Sequence, residues 1–217
     1  PEQQVPATGV LEYRHIDVAI DLGGKDRWLR GSQYIAGDRT VLHHTVNDLI
    51  DPGQKGRNGG PNQANITAYI PGVTPKMDPP NTGGLLRDGA VLKLNMHYTT
   101  NGKESVDRGQ IGLWFYPEGE VPEERMSGRC ACIFTPDWSN IPPYDPSFEQ
   151  SQTITIAQDA HIYSMLPHMH FRGKSMRFVA AYPDGSSEEL INIANYNYNW
   201  QLTYTLAEPK FVPAGTK

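Results

Sequence analysis

Residues 91–98 read Val-Leu-Lys-Leu-Asn-Met-His-Tyr, the clearest alternating stretch in the chain. Apolar side chains at every second position match the two-residue period of a half-buried strand. Leu92, Leu94, Met96 and Tyr98 are predicted to face a core, and Lys93, Asn95 and His97 to face away from it. Residues 99–103 (TTNGK) follow with Asn101-Gly102, the strongest short hairpin signal, and residues 111–116 (IGLWFY) read as a buried strand. Upstream, residues 10–20 (VLEYRHIDVAI), 25–32, 40–46 (TVLHHTV) and 65–70 read as further short strands, with Gly37-Asp38-Arg39 as a turn. Residues 1–9 are polar and read as an arm or linker, so the first domain is placed at 10–116 as an antiparallel sandwich.

Residues 117–150 are rich in proline and carry the acidic run PEGEVPEER, which suits a linker better than a central strand series. A short strand at 130–134 would lie inside it. Alternation resumes at 151–156 (SQTITI). Residues 176–182 and 189–193 are strands joined by the turn Pro183-Asp184-Gly185, and residues 196–200 (YNYNW) and 202–206 continue extended. Residues 212–216 form a turn that should lead into another strand, so the second sandwich, 151–217, is expected to be truncated at its C-terminus.

Composition agrees with an all-β chain. Gly 21 and Pro 18 in 217 residues leave little room for long periodic helices. A formal net charge of -5 argues against nucleic acid as a partner, and no apolar run is long enough for a transmembrane segment. The loop at 51–64 (DPGQKGRNGGPNQA) has no phosphate-binding pattern. With Pro at position 1, the chain reads as a mature form or a fragment. Cys130 and Cys132 are the two cysteines; a bridge between them would close a very small ring, and free thiols or outside partners are preferred to it.

Histidine carries the candidate chemistry. Residues 166–178 read LPHMHFRGKSMRF; on a strand His168 and His170 would share one face, as two ligands for one metal ion. His43 and His44 are adjacent, so both can reach one ion only where the strand bends, bulges or ends. His97 stands on the outward face of its strand. His15, between Arg14 and Ile16, reads as an ordinary strand histidine.

Taken in order, His43-His44, His97 in NMHY and His168-Met169-His170 before Gly173-Lys174 resemble the copper type II, ascorbate-dependent monooxygenases. Peptidylglycine hydroxylating monooxygenase and dopamine β-hydroxylase are animal members, and this chain is closer in style to bacterial ones. The resemblance covers most of 10–217. It implies two jelly-roll-like sandwiches with one copper each, across a solvent-filled cleft. His43, His44 and His97 would hold the electron-storing copper. His168 and His170 would hold the catalytic copper, where molecular oxygen meets the substrate C–H bond. The family's third ligand there is a methionine further along, and Met165, Met169 and Met176 do not match its place. Peptide-amidating members carry a basic residue two positions before the first histidine of the pair; Leu166 occupies that position, so a peptide ending in glycine is not expected as substrate. Arg172 and the 196–200 aromatic run are weaker candidates for contact with a small-molecule or peptide substrate.

The residue types suit the chemistry. Imidazole serves both copper oxidation states, while a soft thioether favours Cu(I). Zinc also accepts three histidines. The expected protein is a secreted or periplasmic copper monooxygenase with two copper sites, using ascorbate or a similar reductant. The alternative is a non-catalytic binding or structural subunit of a larger extracellular assembly, with vestigial metal sites. A mononuclear iron or zinc site built from His168, His170 and a carboxylate such as Asp159 fits the spacing poorly.

Overall fold

The computed structural model describes residues 1–54, 66–72, 75–131, 141–169, 172–197, 200 and 202–217. The protein is all-β, with no helix among the described residues, and none is therefore long and apolar enough to cross a membrane. It divides into two compact units, Pro1–Arg129 and Cys130–Lys217.

The first unit is built on β7, Val91–Tyr98, which is the centre of a three-stranded antiparallel sheet. On one side it pairs with β2 (Arg14–Ala19), and on the other with β4 (Leu42–Ile50). The alternation works as read: Leu92, Leu94, Met96 and Tyr98 are buried, each no more than 6% exposed. A second sheet is organised on β3 (Arg27–Ile35). It pairs with β9 (Gln110–Phe115) along one edge, and with β5 (Lys76–Met77) and β6 (Thr82–Leu86) along the other. Leu42 and Leu49 of β4, Leu29 and Tyr34 of β3, and Leu86 of β6 join the four β7 side chains in one buried cluster. The two sheets thus share a core, and burying that cluster is the main force holding them face to face.

Several boundaries differ from the sequence reading. Residues 1–9 are no free arm: β1 (Gln3–Val5) pairs with β8 (Ser105–Asp107), and Val5 is 2% exposed in the common core. The Arg14 guanidinium fastens this edge by donating to the Gln3 side chain at 3.1 Å and to the Gln4 carbonyl at 2.7 Å. Asn101-Gly102 does turn the chain, with the Lys103 amide donating to Asn101 Oδ1 at 3.1 Å. It does not make a hairpin of β7 and β9, because the following strand, β8, crosses to β1 and β9 joins the other sheet. Residues 117–129, expected in the linker, belong to the first unit, where β10 (Glu124–Arg125) pairs in parallel with β6. The stretch 66–70 makes a single bridge, Tyr69 to Thr45, rather than a strand.

The second unit holds two antiparallel pairs. β11 (Ala160–Met165) lies beside β14 (Tyr204–Val212), and β12 (Met176–Ala181) beside β13 (Ser187–Ile193). The β12–β13 turn falls at Pro183-Asp184-Gly185 as expected, with Asp184 Oδ1 accepting from the Ser186 amide at 2.8 Å. Residues 151–156 form no strand, although Ile156 exchanges backbone hydrogen bonds with Gly215 and Thr216. Cys130 is disulfide-bonded, which corrects the preference for free thiols. Cys132, and most of the short strand expected at 130–134, lie outside the described residues.

Candidate metal centre

The outward face of the first sheet is a set of cross-strand rows fixed by register. His44 of β4 stands opposite His97 of β7. The ladder between β2 and β7 starts at Arg14 with Met96, and Tyr13, the residue before it, meets His97 through its ring. The next row inward is His15, Asn95 and Val46, and the one after it is Asp17, Lys93 and Asp48. His15 is exposed in this row, as an ordinary strand histidine.

A regular strand would send His43 to the opposite face from His44. The ladder instead shifts register between Leu42 and His44, so that two β4 residues answer one step of β7. A bulge of this kind re-aims a side chain. His43 swings to the outward face, and its Nδ1 lies 2.9 Å from Nδ1 of His44. One ligand-type nitrogen from each of His43, His44 and His97 falls within 4.8 Å of the others. The ring centroids are 5.0 to 5.3 Å apart, each pair steeply inclined.

His97 carries the electrostatic signature of the site. Its Nδ1 is buried and has no hydrogen-bond partner. Burial, and after it the neighbouring His43, lowers the pKa of His97 below its usual 6.5. Such a ring is held neutral with a lone pair to offer, the form in which histidine ligates a metal. Metal–nitrogen bonds of about 2.0–2.1 Å bring pairs of ligating nitrogens to about 3 Å, close to the His43–His44 separation. The residues present therefore fit a cation. Imidazole sets suit copper, zinc, iron and nickel.

Below this face, Tyr98 points into the core and donates its hydroxyl to Asp107 at 2.7 Å, while Asp107 also accepts from the Asp38 amide at 2.8 Å. Asp107 is 0% exposed. This network ties the end of β7, next to His97, to β8 and to the loop before β4.

The second expected site is built differently from the sequence reading. β11 ends at Met165, so His168 is not on a strand and cannot owe its direction to the strand's two-residue period. His168 is exposed. His170 lies outside the described residues. Between them, the Met169 backbone is clamped by Tyr196, whose hydroxyl accepts from the Met169 amide at 2.8 Å and donates to its carbonyl at 2.7 Å. Tyr196 of the 196–200 aromatic run thus has a structural role; residues 198 and 199 are not described, and Trp200 is 65% exposed. Arg172 donates to the Pro142 carbonyl at 3.2 Å. Asp159 accepts from the Ala214 amide at 2.9 Å, bracing the turn after β14. Among the described residues, the metal-type cluster of three is His43, His44 and His97 alone.

Tyr13 is the residue that the sequence reading does not single out. Its ring stacks on His97 with centroids 4.6 Å apart and planes 11° from parallel. Nothing local in VLEYRHIDVAI marks it, because its role comes from the β2–β7 register.

No protein-family model matches the chain, and neither the curated proteins nor the solved structures contain a match to it.

Proposed function

We propose that this protein is a copper-dependent monooxygenase that hydroxylates a C–H bond of a small-molecule or peptide substrate. The observation that carries the reading is the convergence of His43, His44 and His97 on one face, which requires a bulge at the His-His pair. These three residues would hold a copper, which when bound supplies a one-electron couple. His43 and His44 present their nitrogens from one strand and His97 from its neighbour, and the ladder between the strands fixes their spacing. Burial keeps the His97 ring neutral and ready to ligate. His168 and His170 would hold the second copper. The net reaction takes molecular oxygen, two electrons and two protons, and yields the hydroxylated product and water; ascorbate or a similar reductant supplies the electrons. A disulfide at Cys130 supports a secreted or periplasmic setting, since disulfides persist in oxidising compartments.

A second reading, a metal-binding subunit without turnover, is favoured by the exposed position of His168 beyond the end of β11. Metal analysis with oxygen-uptake measurements separates the two. Two coppers per chain and ascorbate-driven uptake that disappears in His97→Ala support the monooxygenase. A single metal with no uptake supports the second reading. Full turnover in His97→Ala would remove the first site from the mechanism.

A further inference from the structure

We infer that Tyr13 is a positioning residue for the three-histidine centre, its ring face fixing the plane of His97; the inference rests on the metal reading above. A metal-bound histidine usually has its ring orientation set by a hydrogen bond from the nitrogen that does not ligate. Among the described residues no hydrogen bond holds the His97 ring, and its Nδ1 is buried without a partner. What lies flat against the ring is Tyr13, at 4.6 Å and 11°. The same tyrosine leans on His44 at 5.6 Å and 54°, so one aromatic ring touches two of the three ligands. Tyr13 is 47% exposed and is not part of the core cluster, so the sandwich does not depend on it for burial. Tyr13 directly precedes β2, whose pairing with β7 begins at Arg14 opposite Met96, and this brings its ring beside His97. The centroids of Tyr13, His97 and His44 form a compact triangle of 4.6, 5.0 and 5.6 Å, so the tyrosine face covers His97 while the histidine pair meets edge to face. An offset aromatic stack resists rotation of the ring about its side-chain bonds, which is the service an outer hydrogen bond performs elsewhere.

The test compares Tyr13→Ala with Tyr13→Phe in the full chain, using Cu(II) and Zn(II) themselves as probes. Dissociation constants come from chelator competition, the Cu(II) environment from electron paramagnetic resonance, and metal-free stability from thermal unfolding. Loss of an outer-shell partner costs 10–100-fold in metal affinity, so Tyr13→Ala is expected to bind both ions about 10-fold more weakly with an altered Cu(II) spectrum. Tyr13→Phe keeps the ring face and should restore both affinity and spectrum. Metal-free unfolding midpoints should be the same in all three proteins. The inference is overturned if Tyr13→Ala binds like the unmodified chain, if Tyr13→Phe is as weak as Tyr13→Ala, or if the metal-free midpoint of Tyr13→Ala falls along with its affinity. Absence of metal binding by the unmodified chain would instead remove the metal centre itself.

Discussion

His43 and His44 are neighbours in the chain, yet their Nδ1 atoms lie 2.9 Å apart on one face of the sheet. Only the register shift between Leu42 and His44 permits this. Replacing His44 by Ala takes away the ligand opposite His97 while leaving the bulge. Affinity for Cu(II) or Zn(II) should drop by more than the 10–100-fold that loss of an outer partner costs. Titration against a chelator reads the change, and unaltered affinity would dissolve the three-histidine centre.

Protonation should oppose both folding and metal binding at His97. Its folded pKa is depressed by burial first and His43 second, so the unfolded chain binds the proton more tightly. The sign follows from linkage: this contribution to stability is complete above about pH 6.5 and is lost as pH falls through the lower folded value. Denaturant midpoints of the metal-free protein between about pH 7 and about pH 5 should fall less steeply in His97→Asn than in the unmodified chain. Equal slopes would mean that His97 is not the group responsible.

Tyr98→Phe tests the tie beneath the site. Burial, and then the bond to Asp107, push the Tyr98 phenol well above its usual range, so it stays protonated as a donor. Without the hydroxyl, the fully buried Asp107 keeps only the Asp38 amide among its hydrogen bonds given above. Hydrogen bonds to charged groups are worth about 1.5–3 kcal/mol, and a loss of that size should appear as a lower urea midpoint with an unchanged slope. A shift below about 0.5 kcal/mol, the range of ordinary surface substitutions, would show that the bond contributes little.

Gly37 sits in the turn before β4, where the chain passes close to Arg108. A Cβ at Gly37 would press on the Arg108 backbone, with the carbonyl carbon and oxygen both at 2.7 Å. Backbone on both sides leaves no flexible side chain to yield. Gly37→Ala should therefore cost about 1–3 kcal/mol, the usual penalty of overpacking. Since Asp38 next to it bonds Asp107, the loss should partly overlap with that of Tyr98→Phe. A double-mutant cycle measures this overlap, and strict additivity would separate the two features.

How far the sequence could be read depended on the range of the interaction involved. The β7 alternation was legible because side-chain direction along a strand repeats every two residues, whatever its partner. The turn at Pro183-Asp184-Gly185 was legible for a similar reason, since Asp184 caps Ser186 locally. Asn101-Gly102 was read correctly as a turn, but its strands were not a pair, because β8 found its partner in β1 about a hundred residues back. Val5 shows the same limit: Gln3-Gln4-Val5, in a stretch that reads as polar, becomes a strand only when β8 is beside it.

By itself the sequence determined the class, an all-β chain, and the chemistry on offer, imidazoles at His43, His44, His97 and His168. Tertiary structure alone decided which of these meet. Pairing β4 with β7 put His44 across from His97, a bulge turned His43 to join them, and pairing β2 with β7 set Tyr13 against His97. His168, which the local pattern placed on a strand, lies beyond the end of β11 instead. Periodicity is a property of neighbouring residues, whereas partner and register depend on which distant surfaces bury each other best.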